Sequence, residues 1–583
     1  MAPHPPSPLV GPPPRRRSAP RRSRLLHRTA PLVAFAAAAF AVGIVLGSRH
    51  EPSERRVAAR FASAWERADY ATMHSLLTAK ARDEYPLRRF RRAYERAADT
   101  ATLSAVRTSR PRVRDGGDVD VDVTYATRIF GSISNRLTLA VEEDEQDGTP
   151  GIAWRPEQVF PGLREGERLQ RQTTMPPRAA LQARDGTIIA QGEQRLSDLG
   201  PIASEIAGRL GPAPPEREEE LARRGVPEGT PVGLNGLERT FDERLAGTPG
   251  GTLKAGGRVL ARSEPKAGSA VRTTIDPKVQ EAAVTALAGR FGGIAVMRPR
   301  DGEVLALAGV AYSAPQPPGS TFKIVTLAGL LDAGVVKRSA KFPVETKTSL
   351  EGVELENANG EACGGSLRAS FAESCNSVFA PLGAKLGAER LVAAAEKFGF
   401  NEEPGLPGAA RSTIPPAGEV GDDLAVGSTA IGQGKVLATP LLMADVASAI
   451  AQDGRRPRPT LLKGGGGVAG RATTPATARF IARAMRSVVT DGTGIGAAVP
   501  GVKVAGKTGT AELRSSVSED PIPDDPTQPP AEEDLTDTDA WFTAFAPLKD
   551  PKVAVCVLLV GQGAGGATAA PAAKTVIEAA LKN

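Results

Sequence analysis

Two sets of strongly apolar strand patterns stand far apart in this chain, and their separation limits its fold more than any other feature. Residues 292–308 read GGIAVMRPRDGEVLALA, two apolar runs about an Arg-Asp-Gly turn, which predicts a hairpin. Much later, GVKVAGKTGTAEL and DAWFTAFAPLKDPKVAVCVLLVG return to strand pattern, and AAKTVIEAALKN closes the chain with a helix. The intervening residues carry mostly helical spacing. Strands at both ends of a helical middle predict a sheet closed by distant segments and packed with helices.

The rest of the 583 residues are too many for the same domain. The formal net charge of +7 suggests nucleic acid until its position is noted. Arg15, Arg16, Arg17, Arg21, Arg22, Arg24 and Arg28 sit in a Pro/Arg-rich tail without a single acid, and the remainder is close to neutral. The basicity belongs to the tail, so no nucleic-acid partner is expected. The tail runs into the uncharged stretch PLVAFAAAAFAVGIVLG, residues 31–47. A basic flank before an apolar run predicts a single-pass plasma-membrane anchor over 29–48, with residues 1–28 cytoplasmic and the rest extracytoplasmic. A cleaved signal peptide is the rival reading.

Beyond the anchor, ERRVAARFASAWERADYATMHSLL and LRRFRRAYERAAD have helical spacing, while VDVDVTYATRIFG and NRLTLAVEED alternate as strands do. These predict a small α+β domain over 51–164. Residues 165–269 hold a strand–Asp-Gly–strand unit at RAALQARDGTIIAQ, a polar Pro/Glu-rich stretch and the short helix of GLNGLERTFDERLAGTPGG. No dense hydrophobic run appears there, which predicts a connector. Between Arg514 and Ala540 nine carboxylates from Glu519 to Asp539 stand without a base, the composition of a mobile loop.

The three cysteines are Cys363, Cys375 and Cys556. The first two are close enough to pair, and two buried free thiols are the alternative. Cys556 lies in a strand pattern and reads as core. No Cys/His spacing suggests a metal, and no cofactor motif appears.

Three short motifs carry possible chemistry. In PPGSTFKIVTLAGLLDAG, Ser320 and Lys323 stand three residues apart at the mouth of an apolar helix, on one face. A serine hydroxyl needs a base to become a nucleophile, and a lysine serves only if its pKa is lowered. A helix cap explains the pair equally well. In SFAESCNSVFAPLGAKLG, Ser374 and Asn376 bracket Cys375, and a hydroxyl and an amide on one side of a loop could relay a proton and hold a peptide group. In GVKVAGKTGTAEL, Lys507, Thr508, Gly509 and Thr510 follow one another on a strand, and the glycine admits a ligand backbone at the edge. Each motif has an ordinary structural explanation. Their order and spacing together do not.

Taken together, S-x-x-K, S-x-N and K-T-G form the set found in penicillin-binding proteins and class A β-lactamases. Residues from about Thr274 to the end resemble the transpeptidase domain of penicillin-binding proteins. AIGQGKVLATPLLMADVASAIA resembles the family's Gly-Gln-Gly helix. ARDGTIIA and GLERTFDERLAGTPGG resemble the dimerisation module of class B members, and residues 51–164 resemble a nuclear-transport-factor-two-like domain. No glycosyltransferase domain is apparent, which points to the monofunctional class.

The resemblance implies an α+β multidomain chain: anchor, small cone domain (51–164), dimerisation or pedestal module (165–269), and a serine β-lactamase-like transpeptidase domain (274–583) with an antiparallel sheet packed by helices. It implies acyl transfer on peptidoglycan stem peptides ending in D-Ala-D-Ala, drawn from lipid-linked precursors, with β-lactams as mimics of the donor. Ser320 would be the nucleophile and Lys323 its base. Ser374 would pass a proton to the departing D-alanine, and Asn376 would hold the substrate amide and Lys323. Lys507 and Thr508 would shape the field at Ser374, Thr508 and Thr510 would bind the terminal carboxylate beside Gly509, and the Ser320 and Thr510 N–H groups would form an oxyanion hole. A membrane glycosyltransferase and a cell-wall synthesis complex are the implied partners. A D,D-carboxypeptidase or β-lactamase would use the same motifs with water as acceptor, and a β-lactam sensor or division scaffold would bind without turnover.

Overall fold

A computed structural model describes residues 52–406, 408–512 and 538–582. The expected tail (1–28), the anchor (29–48) and the acidic stretch up to Asp537 lie outside the described residues. Among those described, no helix is long and apolar enough to cross a membrane. The chain divides into two compact units. One comprises the chain up to Gln170 together with Leu253–Ala261, and the other Arg171–Thr252 together with the chain from Arg262 onward.

The first unit opens with α1 (Ser53–Glu66) and α2 (Tyr70–Ser75), where the hydrophobic spacing alone predicts one continuous helix. The break has a local cause. Ala68 takes a left-handed φ of 54°, and the Asp69 carboxylate accepts from Thr72 N at 3.0 Å, capping the second helix before the first can continue through it. Then come α3 (Ala79–Glu84) and α4 (Leu87–Ala101), which buries Phe90, Tyr94, Ala97 and Ala101. Strands β1 (Leu103–Thr108), β2 (Arg112–Val113), β3 (Val119–Thr127) and β4 (Gly131–Leu139) form an antiparallel sheet in which β3 pairs with the other three. The pleat of β3 sends Val119, Val121, Val123 and Tyr125 to the covered face. Trp65 packs edge-on against Tyr94 at 5.3 Å and Tyr125 at 5.8 Å. Leu253 joins this core, and Arg258 donates to Glu167, so the hairpin segment Leu253–Ala261 belongs with the first unit.

In the second unit the Asp-Gly turn joins β5 (Leu181–Gln182) to β6 (Ile188–Ala190), with Gly186 at φ 101°. The polar stretch that follows contains a helix, α5 (Pro215–Arg223), with proline at its first position, where the missing N–H costs nothing. Scarcity of apolar residues here is offset by paired buried charges. Glu238 lies 2.7 Å from Arg178 and 2.6 Å from Arg195, and Asp242 lies 2.8 Å from Arg217. Such charges are tolerated inside only because each finds a partner.

The remainder is built on α6 (Pro277–Leu287), β7 (Gly292–Met297), β8 (Val304–Gly309), α7 (Lys323–Asp332), the exposed strands β9 (Lys341–Glu345), β10 (Lys347–Leu350) and β11 (Val353–Glu356), β12 (Cys363–Ser366), α8 (Leu367–Ala372), α9 (Asn376–Leu386), α10 (Pro440–Ala451), α11 (Pro475–Thr490), β13 (Ala505–Glu512), β14 (Thr538–Ala546), β15 (Val553–Leu559) and α12 (Ala569–Leu581). The order β8–β7–β15–β14–β13 makes one antiparallel sheet from the two distant strand sets. Its strands are apolar on both faces because both are covered. Ile294, Val296, Val555 and Val557 share a core with α6 and α12 residues, while Ala295, Met297, Ala554 and Cys556 share one with α7 and α10 residues. Cys556 is a buried free thiol in that second layer. At the edge of the sheet stands β13, the strand that carries Lys507.

Candidate active site

Pro317 and Pro318 end the preceding loop, and residues Gly319–Phe322 form a 3₁₀ turn leading into α7. Helix α7 is buried nearly all round, so its position is set by the core. Gly319 sits at φ 51°, and a Cβ there would lie 2.6 Å from Thr510 O. From the other side, a Cβ on Gly509 would lie 2.8 Å from Pro318 O and 3.0 Å from both Thr321 Cγ2 and Trp541 Cβ. The turn bearing Ser320 and the strand bearing Lys507 thus touch backbone to backbone through two glycines. Gly509→Ala must push them apart. It is expected to cost about 1–3 kcal/mol of stability by overpacking and to slow any reaction needing both elements, as thermal unfolding and acylation kinetics would register.

All three motifs converge. Lys323 Nζ lies 2.9 Å from Ser320 Oγ, 2.6 Å from Asn376 Oδ1, 2.6 Å from Ser374 O and 3.3 Å from Ser374 Oγ. Lys507 Nζ lies 2.8 Å from Ser374 Oγ and 3.0 Å from Thr508 O. Ser374 takes a left-handed φ of 64°, a conformation costing on the order of 1–3 kcal/mol for a residue with a Cβ, and its hydroxyl stands between the two amines. Asn376 opens α9, and its Nδ2 donates to Glu356 O at 2.8 Å. Cys363 and Cys375 are joined by a disulfide that ties β12 to the residue between Ser374 and Asn376.

Both lysines are wholly buried. Each faces an aromatic ring, Phe379 for Lys323 and Phe371 for Lys507. Burial, joined by the nearby Lys507 charge, holds Lys323 well below the ordinary lysine range. Burial brings Lys507 to about 7, against an opposing pull from Glu373. The hydroxyl between them serves two amines that cannot both keep their protons cheaply.

A neutral Lys323 has two N–H groups and one lone pair. Asn376 Oδ1 and Ser374 O can only accept, so they take the two N–H groups. The lone pair is left for the Ser320 hydroxyl. An amine so directed at a half-exposed serine is the arrangement that nucleophilic catalysis requires.

Thr510 is partly exposed, and its Oγ1 accepts from Gly565 N at 3.5 Å, while Gln433 Nε2 reaches Thr510 O at 3.5 Å. Thr508 is buried, and its hydroxyl lies 2.6 Å from Thr493 Oγ1. Sequence reasoning missed Thr493, which precedes the strand in TDGTG with no signal beyond a turn composition. It also missed Asn357, whose run ENANG reads as a loop. Among the described residues no cluster of His, Cys, Asp or Glu is arranged to hold a metal.

Known protein families share the domains of this chain. The penicillin-binding protein transpeptidase domain matches residues 292–578, the NTF2-like N-terminal transpeptidase domain 53–167, and the penicillin-binding protein dimerisation domain 166–273. The chain is 34% identical over 417 residues to the peptidoglycan D,D-transpeptidase PbpA of Mycolicibacterium smegmatis, spanning 60% of this chain and 79% of that one. Its fold is similar to penicillin-binding protein A from M. tuberculosis in a penicillin G acyl-enzyme complex, with a TM-score of 0.54 and 27% identity over 70% of this chain and 99% of that one. It is also similar to PBP2 of Pseudomonas aeruginosa, with a TM-score of 0.58 and 26% identity over 71% of this chain and 97% of that one. The chain belongs to the penicillin-binding proteins, in the architecture where NTF2-like and dimerisation domains precede the transpeptidase domain.

Proposed function

We propose that this chain is a membrane-anchored peptidoglycan D,D-transpeptidase that cross-links stem peptides through an acyl-enzyme on Ser320 and is inhibited by β-lactams. The observation that carries the reading is the buried amine of Lys323, 2.9 Å from Ser320 Oγ with its two N–H groups already engaged. Similarity to a D,D-transpeptidase and to a β-lactam acyl-enzyme structure supports it.

In the reaction Lys323 Nζ takes the Ser320 proton as Oγ bonds to the penultimate carbonyl carbon of the donor. The carbonyl oxygen gains charge opposite the backbone N–H groups of Ser320 and Thr510. The C–N bond to the last D-alanine breaks, and its nitrogen gains a proton through Ser374, which Lys507 and Lys323 flank. An amine of a second stem peptide then attacks the ester, Ser320 regains its proton, and a cross-link results. Asn376 keeps one Nδ2 hydrogen for the donor amide after serving Glu356 O. Thr510, with Thr508 and the open edge at Gly509, binds the terminal carboxylate. No cofactor takes part.

The domain limits that accompany this reading are 51–164, 165–269 and 274–583. The anchor lies at 29–48 of a single-pass plasma-membrane protein whose tail, 1–28, is cytoplasmic and whose catalytic domain is extracytoplasmic. Lipid-linked precursors made into glycan by a membrane glycosyltransferase within a cell-wall synthesis complex supply the substrate.

Mass spectrometry of the penicillin-treated chain tests the reading, with the adduct expected on the peptide containing Ser320. An adduct elsewhere, or none, overturns it. Supplying an acceptor amine together with a D-Ala-D-Ala donor separates cross-linking from hydrolysis, since a carboxypeptidase releases the free acid whatever the amine concentration. Thr510→Ala removes one hydrogen bond to the substrate carboxylate and is expected to slow acylation by about tenfold, the worth of roughly 1.5 kcal/mol. That loss is smaller than the loss of Lys323. Equal losses would contradict the assigned roles.

A further inference from the structure

From the hydrogen bonds around α9 we infer that Asn357, outside all three motifs, is a positioning residue for acylation: it holds the Glu356 carbonyl that orients the Asn376 carboxamide toward Lys323. The inference rests on the transpeptidase reading and extends it to a residue that touches neither substrate nor nucleophile.

Asn357 is the one buried side chain among the described residues between Lys341 and Ala362, in an otherwise exposed pair of ribbons. An amide buried in such a place needs partners for every group. Asn357 Nδ2 donates to Glu345 O at 2.7 Å and Glu361 O at 2.9 Å, and its Oδ1 accepts from Ser377 N at 2.9 Å. Its own backbone N–H donates to Thr346 O at 2.9 Å, and its carbonyl accepts from Gly360 N at 3.0 Å. One residue thus joins β9, the residue between β9 and β10, the loop before β12 and the first turn of α9.

The preceding residue supplies the functional contact. Glu356 O accepts from Asn376 Nδ2 at 2.8 Å. A carbonyl cannot donate, so this bond decides which end of the Asn376 carboxamide faces Lys323. It must be Oδ1, which lies 2.6 Å from Nζ. If the Glu356 carbonyl moves away, the carboxamide is free to turn and present Nδ2 instead. An N–H there competes with the Ser320 hydroxyl for the single lone pair of Lys323. The base is then present and neutral but aimed wrongly. The disulfide at Cys375 holds the neighbouring backbone, while the hydrogen bonds of the carboxamide itself run to Lys323 and Glu356.

A double-mutant cycle on the rate of acylation by a fluorescent penicillin, measured per acylable site in the full chain, tests the inference. Asn357→Ala is expected to slow acylation by about tenfold to a hundredfold, the penalty of misplacing a catalytic group by an ångström or less. In an Asn376→Ala background the same change is expected to alter the rate within about twofold, because its route of action has been removed. Losses that multiply fully across the two backgrounds overturn the inference, since a merely structural role would act in both. Should Asn357→Ala fail to fold, Asn357→Ser takes its place in the same cycle. The wild-type arm separates the two levels. An unlabelled wild type strikes at the transpeptidase reading, whereas a labelled wild type with multiplying losses strikes only at Asn357.

Discussion

Ser320→Ala is expected to abolish covalent labelling by a fluorescent penicillin while leaving the protein folded. The Ser320 side chain makes one hydrogen bond, to Lys323 Nζ, and contributes nothing to the apolar core. Its loss should therefore cost about 0.5–1.5 kcal/mol of stability. Chemically the loss is total, because no other hydroxyl stands where Ser320 does. Ser374 Oγ also touches Lys323, but it is buried and held by Lys507 at 2.8 Å. Gel fluorescence after incubation with the labelled penicillin, run beside a thermal melt, checks both halves. Labelling that persists in a folded variant removes Ser320 as nucleophile.

Removing the base comes next in size. Lys323→Met keeps the length and the apolar stem and deletes the amine, so acylation should slow by about 10²–10⁴-fold, the range for general base catalysis. Lys323→Arg should fare no better, since guanidinium cannot give up its proton at any working pH. The acidity of this amine also has a signature. Only neutral Lys323 can accept the Ser320 proton, so acylation should rise with pH along a limb set by its pKa. Burial and the Lys507 charge both lower that pKa, which places the limb well below the ordinary lysine range. In Lys507→Met the second of those causes is gone. The protonated form of Lys323 becomes easier to keep, its pKa rises, and the limb should move to higher pH, whatever happens to the plateau. Stopped-flow acylation across pH for the two proteins measures the displacement. A limb that stays in place or moves to lower pH would separate the two lysines electrostatically and break the proposed coupling.

Much of this site is legible in the chain because its chemistry sits in short motifs. Ser320 with Lys323, Ser374 with Asn376, and Lys507 with Thr508 and Thr510 are each defined within a few residues, and local spacing places each motif at a helix mouth, a loop or a strand. The strand patterns of 292–309, 505–512, 540–546 and 553–559 likewise declare themselves. Reading fails where the deciding contact is distant or depends on one backbone angle. The helical spacing from Val57 to Leu77 is continuous, yet Asp69 caps a new helix after Ala68 turns left-handed. The Pro/Glu-rich stretch shows no dense hydrophobic run, yet it carries α5 in a module held by Arg178, Arg195, Arg217, Glu238 and Asp242.

What the amino-acid sequence determined by itself was the inventory: a nucleophile with a base one helical turn away, an amide and a hydroxyl about a cysteine, a lysine on a strand, and strands enough for a covered sheet. Whether Cys363 and Cys375 pair was open there, and the fold joins them. The tertiary structure alone decided what each group is allowed to do. It buried both lysines and so lowered their pKa values, and it set Thr493 against Thr508. It pressed Gly319 and Gly509 together so that the turn and the strand could meet. It brought Asn357 to the foot of α9, where a backbone carbonyl chooses the orientation of Asn376. Proton affinity and amide orientation depend on dielectric and on partners within a few ångströms, and those partners come from parts of the chain that only folding brings side by side.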